Sequence, residues 1–197
     1  MKRKAGLNNR VLILCEGVTE EIYSKALRTA FLPRNLQRTV NVDVVRYKKN
    51  DPLSLVGEAK YRVKQAKKDK IPYDVVWLFF DHDNSPGLQQ AVDQAQQLGF
   101  KLAFTAISIE FWFILHFEDC GKGFSNGEEC LKYLIRLWPK YHKTKINHFV
   151  DLGSRVELAV ERAERLAKRN EHSRITEAHP YTSVQQLIAF FKELGNR

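Results

Sequence analysis

Acidic side chains follow two apolar runs in this chain, at the point where each run ends. The first run, VLILC at residues 11–15, is followed directly by Glu16 and Gly17, and the second ends in Asp81, with Asp83 two residues further on. Carboxylate oxygens are the ligands that Mg²⁺ and Mn²⁺ prefer in proteins. If the two runs are neighbouring strands of one parallel sheet, their carboxyl ends share an edge. We therefore expect Glu16, Asp81 and Asp83 to form one metal site, with Glu16 as a metal ligand or a general acid or base.

Three carboxylates in one place repel each other unless a cation or a proton compensates them. Two like charges ~4 Å apart cost about 4 kcal/mol at an effective dielectric of ~20. Gly17 is expected to adopt a positive φ and to allow a close backbone approach after the first strand. The alternative interpretation is local capping, because Asp, Asn and Ser side chains in residues 81–86 can cap a following helix and Pro86 suits its first turn.

Further candidate residues each have two interpretations. Glu110 begins an apolar helix, whose N-terminus stabilises a carboxylate, or it is a further acid that assists the metal site. His116 is either a hydrogen-bonded core histidine or a catalytic one. His82, between the two aspartates, is a solvent-facing spacer or a substrate contact. Lys48 and Lys49 follow a predicted strand and are either a solvated pair or ligands of a scissile phosphate.

The elements that would position these side chains alternate between strand and helix over residues 11–117. Strands are predicted at 11–15, 40–47, 73–80 and 100–107, and helices at 19–31, 53–68, 85–98 and 110–117. This alternation is typical of a parallel sheet with helices on both faces. Three more helices are predicted at 128–138, 152–170 and 183–194. We expect an α/β core at 1–120 and a helical C-terminal region at 121–197 that packs on it as part of one structural unit.

Composition and charge narrow the classes of function. The chain has 197 residues and a net charge of +9, with basic clusters at 2–4, 46–49, 60–70 and 140–145. Such a balance favours nucleic acid as a partner, although any single cluster can also be a solvated helix face. Three cysteines without CxxC spacing predict reduced thiols. No apolar run approaches the roughly 20 residues that span a bilayer, so we expect a cytoplasmic protein with no membrane partner.

The order of the acidic motifs resembles the Toprim domain of primases, topoisomerases and OLD-family nucleases. The resemblance lies in Glu16-Gly17 after the first strand and Asp81-His82-Asp83 after a later one. In that superfamily the aspartates hold Mg²⁺, and the glutamate joins the metal site or moves a proton. Four stretches then narrow the resemblance to the RloB family, and they are, in order, ILCEGVTEEIYSKAL, LFFDHD, IEFWFILHF and HPYTSVQQLIAFF.

The resemblance to the RloB family implies a fold and a function. These small proteins occur among bacterial phage-defence and restriction genes, and the implied fold is a Toprim-like doubly wound parallel sheet with a C-terminal helical cap. The implied function is an Mg²⁺- or Mn²⁺-dependent nuclease acting on RNA or DNA in phage defence or abortive infection. The alternative is a non-catalytic subunit that binds nucleic acid or a partner in a defence complex. An ATPase or a restriction-system protein is the expected partner, and a homo-oligomer is compatible with the sequence. The candidate catalytic residues are Glu16, Asp81, Asp83 and Glu110, and the candidate substrate-binding residues are Lys48, Lys49 and His82.

Overall fold

A computed structural model describes residues 9–49, 51–82, 87–145 and 147–196, with the side chain of Asn9 excepted. Its centre is a four-stranded sheet in which every neighbouring pair of strands is parallel. The strands are β1 (Asn9–Cys15), β2 (Val40–Arg46), β3 (Val75–His82) and β4 (Lys101–Ala106), in the spatial order β2-β1-β3-β4. The parallel sheet predicted from the alternation is confirmed, and β1 and β3 are neighbours. Asp83 and the predicted helix start at Ser85 and Pro86 lie outside the described residues.

The helices follow the predicted order with shifted ends. They are α1 (Val18–Phe31), α2 (Pro52–Lys68), α3 (Leu88–Gln97), α4 (Ile109–Ile114), α5 (Gly127–Leu137), α6 (His148–Leu152), α7 (Val156–Arg169) and α8 (Val184–Gly195). Short 3-10 turns lie at Leu36–Arg38 and Gly153–Arg155. The second turn interrupts the helix predicted at 152–170, so α7 begins four residues later than expected.

Two helix starts show how local sequence sets the boundaries. The carboxylate of Asp51 accepts a hydrogen bond from the backbone of Ser54 at 2.7 Å, and Pro52 occupies the first position of α2, as its capping sequence predicts. The start of α3 differs from the prediction. Its N-cap is Gly87 at φ 82°, with no side-chain cap, while Asp81 lies within β3 opposite Thr105. Asp81 therefore does not cap α3.

Helices cover both faces of the sheet, which makes the fold doubly wound. Val11, Ile13 and Cys15 of β1 point into one apolar cluster, while Leu12 and Leu14 point into a second one on the opposite face. The first cluster is closed by α1 and α4 to α8, and the second by α2 and α3. A strand buried on both faces requires the continuous apolar run seen at 11–15. The C-terminal helices share the first cluster with the sheet, as expected for a Toprim-like sheet with a helical cap.

Several smaller predictions concern buried side chains. All three cysteines are free and buried, which confirms the expectation of reduced thiols. Trp77, Trp112 and Trp138 are buried, and the indole N–H of Trp112 donates to the hydroxyl of Tyr23 at 2.8 Å. Within the part of the chain that the structure describes, no helix is long and apolar enough to cross a membrane.

Candidate functional site

The pairing of β1 with β3 brings Glu16 and Asp81 to the same edge of the sheet. Cys15 lies opposite Phe79, and the backbone N–H of Glu16 donates to the Phe79 carbonyl at 2.9 Å, one residue beyond the strand. Asp81 follows two residues after Phe79, and its backbone N–H lies 3.4 Å from Oε2 of Glu16. The structure thus places these two predicted site residues side by side, at the carboxyl end of the two central strands.

A third acid, Glu20, joins them and was not among the predicted site residues. It is the third residue of α1, only 5% exposed, and its carboxyl group is hydrogen-bonded to that of Asp81. The sequence feature that could have indicated Glu20 is its position in the first turn of the helix after β1, where two glutamates are adjacent. A helical residue at this place returns toward the strand end, so α1 supplies an acid to the same edge.

Gly17 makes room for Glu20. A Cβ atom at residue 17 would lie 2.2 Å from Oε2 of Glu20, well inside van der Waals contact. The expected close approach at Gly17 is therefore present, and the approaching atom belongs to the Glu20 carboxyl. The expected positive φ is wrong, because Gly17 has φ −111° and ψ 172°, an extended conformation open to any residue. The missing side chain, and not the backbone conformation, is what this position requires.

The acids perturb each other's protonation. Burial is the main cause that raises the pKa of Asp81 well above its ordinary value, and the charges of Glu20, Glu110 and Glu16 add to it. Burial likewise raises the pKa of Glu20, while its backbone hydrogen bond and the contact with Asp81 oppose that rise. Two carboxyl groups in hydrogen-bond contact cannot both ionise cheaply. Without a cation, burial and the neighbouring carboxylates therefore favour the protonated form of Asp81.

The donor set of this edge fits a divalent cation. Oδ1 of Asp81 is buried and has no hydrogen-bond partner among the described residues, so it is an acceptor that a cation would satisfy. Glu16 and Glu20 add carboxylate oxygens beside it, the ligand type that Mg²⁺ and Mn²⁺ take. Within the described ranges no group of three or more His, Cys, Asp or Glu side chains is arranged so that it holds a metal ion. The predicted third ligand, Asp83, lies outside those ranges.

Glu110 lies beside the same cluster of acids, as expected for a further acid at the site. It is also in the first turn of α4, where the helix N-terminus stabilises a carboxylate. It is 1% exposed and accepts a hydrogen bond from the hydroxyl of Tyr141 at 2.8 Å. The ammonium of Lys143 lies 3.3 Å from the same carboxylate oxygen. Burial and the charge of Glu110 raise the pKa of Tyr141, which keeps this hydroxyl a neutral donor. Tyr141 and Lys143 were missed as site residues, although the basic cluster at 140–145 contains both.

The predicted substrate-binding residues lie around this edge. His82 is the last residue of β3 and is partly buried, with its ring 6.2 Å from that of Phe104, and both of its interpretations stay predictions. Lys48 and Lys49 are exposed and follow β2, the strand next to β1. Both lysines thus lie at the carboxyl end of the sheet, one strand away from Glu16. Their role in substrate binding stays a prediction.

His116 occupies the core. It is 1% exposed, and its Nδ1 lies 3.0 Å from the carbonyl oxygen of Trp112. Burial lowers the pKa of its imidazole to about 3, so the ring is neutral at physiological pH. His116 lies in the turn that follows α4, and its burial and hydrogen bond agree with the interpretation of a structural histidine.

Among curated proteins, none matches this chain. The family model described as RloB-like protein matches residues 11–191, from the first residues of β1 into α8. The match includes all four strands' carboxyl ends, and hence every acid described above. The chain belongs to the RloB-like protein family.

Proposed function

We propose that this protein is a nuclease that uses Mg²⁺ or Mn²⁺ at the acidic edge of its sheet to cleave phosphodiester bonds in RNA or DNA. The observation that supports it is the pair of Asp81 and Glu20, two carboxyl groups in hydrogen-bond contact next to Glu16, of which Glu20 is 5% exposed and Oδ1 of Asp81 is buried without a partner among the described residues. Such a pair is costly to keep in a fold unless a cation occupies it. The net charge of +9 on a chain with this acidic edge suits a polyanionic substrate.

The chain's own residues would divide the work as follows. Glu16 and Asp81 would hold the cation together with Asp83, as the family resemblance implies, and Glu20 would lie beside them. The bound cation would neutralise charge on the phosphate and lower the pKa of a water molecule. Oε2 of Glu16 is at the partly exposed end of β1 and would accept a proton from the attacking water or return one to the leaving oxygen. Glu110 would set the charge of the edge and hold Lys143 beside it.

The setting of this activity is also part of the proposal. The resemblance stated above supports a cytoplasmic role in phage defence or abortive infection, with an ATPase or a restriction-system protein as partner. An uncontrolled nuclease harms its own cell, so a partner that senses infection would account for the control. Co-purification of the tagged chain with neighbouring gene products from its native host tests this part.

A cleavage assay tests the activity. Purified protein is incubated with tRNA, single-stranded RNA, single-stranded DNA and duplex DNA, in Mg²⁺, Mn²⁺ or chelator. We expect metal-dependent cleavage of at least one substrate, and its loss in Glu16→Gln and Asp81→Asn. The matched control is Glu128→Gln, because Glu128 is an exposed carboxylate on α5 whose partner is Lys132, at 2.6 Å.

The same assay decides between the two functional classes. If wild type cleaves no substrate and Mn²⁺ does not raise its melting temperature, the acids are structural and the chain is a non-catalytic binding subunit. If Glu16→Gln cleaves as wild type does, the site is not the one proposed. If Glu128→Gln loses activity as well, the effect is one of overall charge.

A further inference from the structure

Residues 140–145, with the sequence KYHKTK, form a basic segment between α5 and α6 that contacts two acid-bearing helices. We call it the basic strap. The hydroxyl of Thr19 on α1 donates to the carbonyl of Lys143 at 3.3 Å, and the hydroxyl of Tyr141 donates to Glu110 on α4 at 2.8 Å. Thr19 is next to Glu20 in α1. The strap is therefore tied to the first turn of each helix that supplies a glutamate to the acidic edge.

The backbone of the strap is held by its own side chains. Nδ1 of His142 accepts from the backbone N–H groups of Thr144 and Lys145, both at 3.2 Å, and the carbonyl of His142 lies 3.0 Å from Nε2 of His148. Tyr141 is buried, with its ring centroid 5.4 Å from that of Trp138. These contacts fix the turn while the side chains of its three lysines remain exposed. A preorganised cationic turn loses less entropy when it binds an anion.

Lys143 reaches both the acids and the solvent. Its side chain is 54% exposed, its ammonium lies 3.3 Å from Glu110, and its charge lowers the pKa of the buried Glu20. Lys143 is thus a solvent-exposed cation beside the acidic edge, where an anion can contact it. Mg²⁺ in nucleic-acid enzymes is commonly held by one or two carboxylates together with a substrate phosphate. A phosphate bound at this edge would therefore be within reach of the ammonium of Lys143.

We infer that the basic strap binds the phosphate backbone of the nucleic acid next to the acidic edge, with Lys143 on the phosphate nearest the site and Lys145 on a neighbouring one. This inference rests on the proposed function, because it names how that site takes its substrate. An acidic protein partner is the competing ligand. The strap fits nucleic acid better, because the chain carries a net charge of +9 and a nucleic-acid backbone offers a phosphate to each of its lysines.

The test compares two double variants with equal loss of charge. Lys143→Gln/Lys145→Gln changes the strap, and Lys64→Gln/Lys67→Gln changes two exposed lysines of α2, on the other face of the sheet. Binding of a labelled single-stranded RNA, of single-stranded DNA of the same sequence and of an RNA stem-loop is measured by fluorescence anisotropy. The measurements are made in chelator over a range of KCl concentrations, so that no cleavage occurs.

The expected effect follows from counterion release. Each lost phosphate contact lowers the slope of log affinity against log salt by about 0.7 to 0.9. At about 0.1 M salt, loss of each lysine should weaken affinity by roughly fivefold to eightfold, and the strap variant should bind roughly 25-fold to 60-fold more weakly than wild type. The α2 variant should stay close to wild type. The single variant Lys145→Gln should show half of the change in slope, and it leaves the contact between Lys143 and Glu110 in place. The probe with the largest loss identifies RNA or DNA as the ligand.

The outcomes separate the inference from the proposed function. If the strap variant loses no more slope than the α2 variant, the inference is wrong even when wild type cleaves normally. If wild type cleaves nothing but the strap variant shows the predicted loss, the proposed nuclease is wrong and the strap remains a binding element. If wild type binds polyglutamate, the strap variant does not, and neither binds any of the nucleic acids, the ligand is an acidic protein and the inference is wrong. Each variant must have the same circular dichroism spectrum as wild type. If the double variant does not, the result for the single variant Lys145→Gln is used instead.

Discussion

Asp81→Asn in metal-free protein should stabilise the fold at neutral pH. The ordinary pKa of an aspartate is 3.8, and in the folded protein burial and the neighbouring acids raise it well above that value. At pH 7 the unfolded chain is ionised at this position, whereas burial and the neighbouring acids favour the protonated form of Asp81 in the folded protein. Folding must then take up a proton, which costs about 1.4 kcal/mol for each pH unit above the unfolded pKa. Asparagine has the same size and needs no proton.

The sign and size of this effect follow from the linkage between proton binding and folding. The folded state binds more protons than the unfolded state, so the stability of wild type falls as pH rises from 3.8 toward the raised pKa. Between pH 3.8 and pH 7 the largest loss that one retained proton allows is about 4 kcal/mol. Partial access of water to Asp81 reduces it, and we expect Asp81→Asn to gain about 1 to 4 kcal/mol at pH 7. The gain should shrink toward zero near pH 4.

Urea unfolding, followed by tryptophan fluorescence, measures the difference. Wild type, Asp81→Asn and the control Asp93→Asn, an exposed carboxylate on α3, are compared at pH 5 and pH 7 in chelator and in Mn²⁺. Metal at 100 times its dissociation constant should stabilise wild type and Asp93→Asn by about 2.7 kcal/mol and Asp81→Asn far less. The reasoning is refuted if Asp81→Asn is less stable than wild type in chelator at pH 7, or if Mn²⁺ stabilises it as much.

Three further substitutions test neighbouring parts of the site and core. Gly17→Ala should displace the Glu20 carboxyl, lower the free energy of unfolding by about 1 to 3 kcal/mol and weaken stabilisation by Mn²⁺. An unchanged Mn²⁺ titration would contradict this. Tyr141→Phe removes the hydroxyl that donates to the buried Glu110 and should cost about 1 to 3 kcal/mol in urea unfolding, whereas a cost near zero would mean that the carboxylate finds another donor. His116→Asn should remove an acid sensitivity: a histidine with an ordinary pKa of 6.5, lowered to about 3 in the fold, contributes stability that is present above pH 6.5 and lost as pH falls. Between pH 7 and pH 5 wild type should therefore lose about 2 kcal/mol more than His116→Asn, and equal losses would show that His116 is not buried as a neutral ring.

Much of the sheet could be predicted because its signals are local. Five consecutive apolar residues at 11–15 are needed only where a strand is buried on both faces, and β1 has that position between β2 and β3. The neighbourhood of Glu16 and Asp81 then follows from the rule that parallel strands end at one edge. The break at Gly153–Arg155 could not be predicted in the same way, because the helical periodicity of apolar residues continues across it.

The rest of the site depends on contacts that no local pattern encodes. Tyr141 meets Glu110 across 31 positions of the chain, and the segment that carries it has no regular secondary structure. Glu20 looks like an ordinary acidic first-turn residue of an amphipathic helix, and only the space beside Gly17 shows that its carboxyl turns inward. The prediction for Gly17 attributed its role to backbone conformation because that is the commoner reason for a glycine after a strand.

The contacts that assemble the acidic edge join residues that are far apart in the sequence. This separation affects when the edge can form during translation. The contact between Glu16 and Asp81 closes a separation of 65 residues, and that between Thr19 and Lys143 closes 124. Contacts of such separation form late, because the entropy of closing the chain is paid before they stabilise anything. Glu16 leaves the ribosome early, but its partners emerge one after another, and the strap last of them. During translation the acids of the edge therefore emerge before Lys143, and the edge lacks the ammonium beside Glu110 until the residues around Lys143 have emerged and docked.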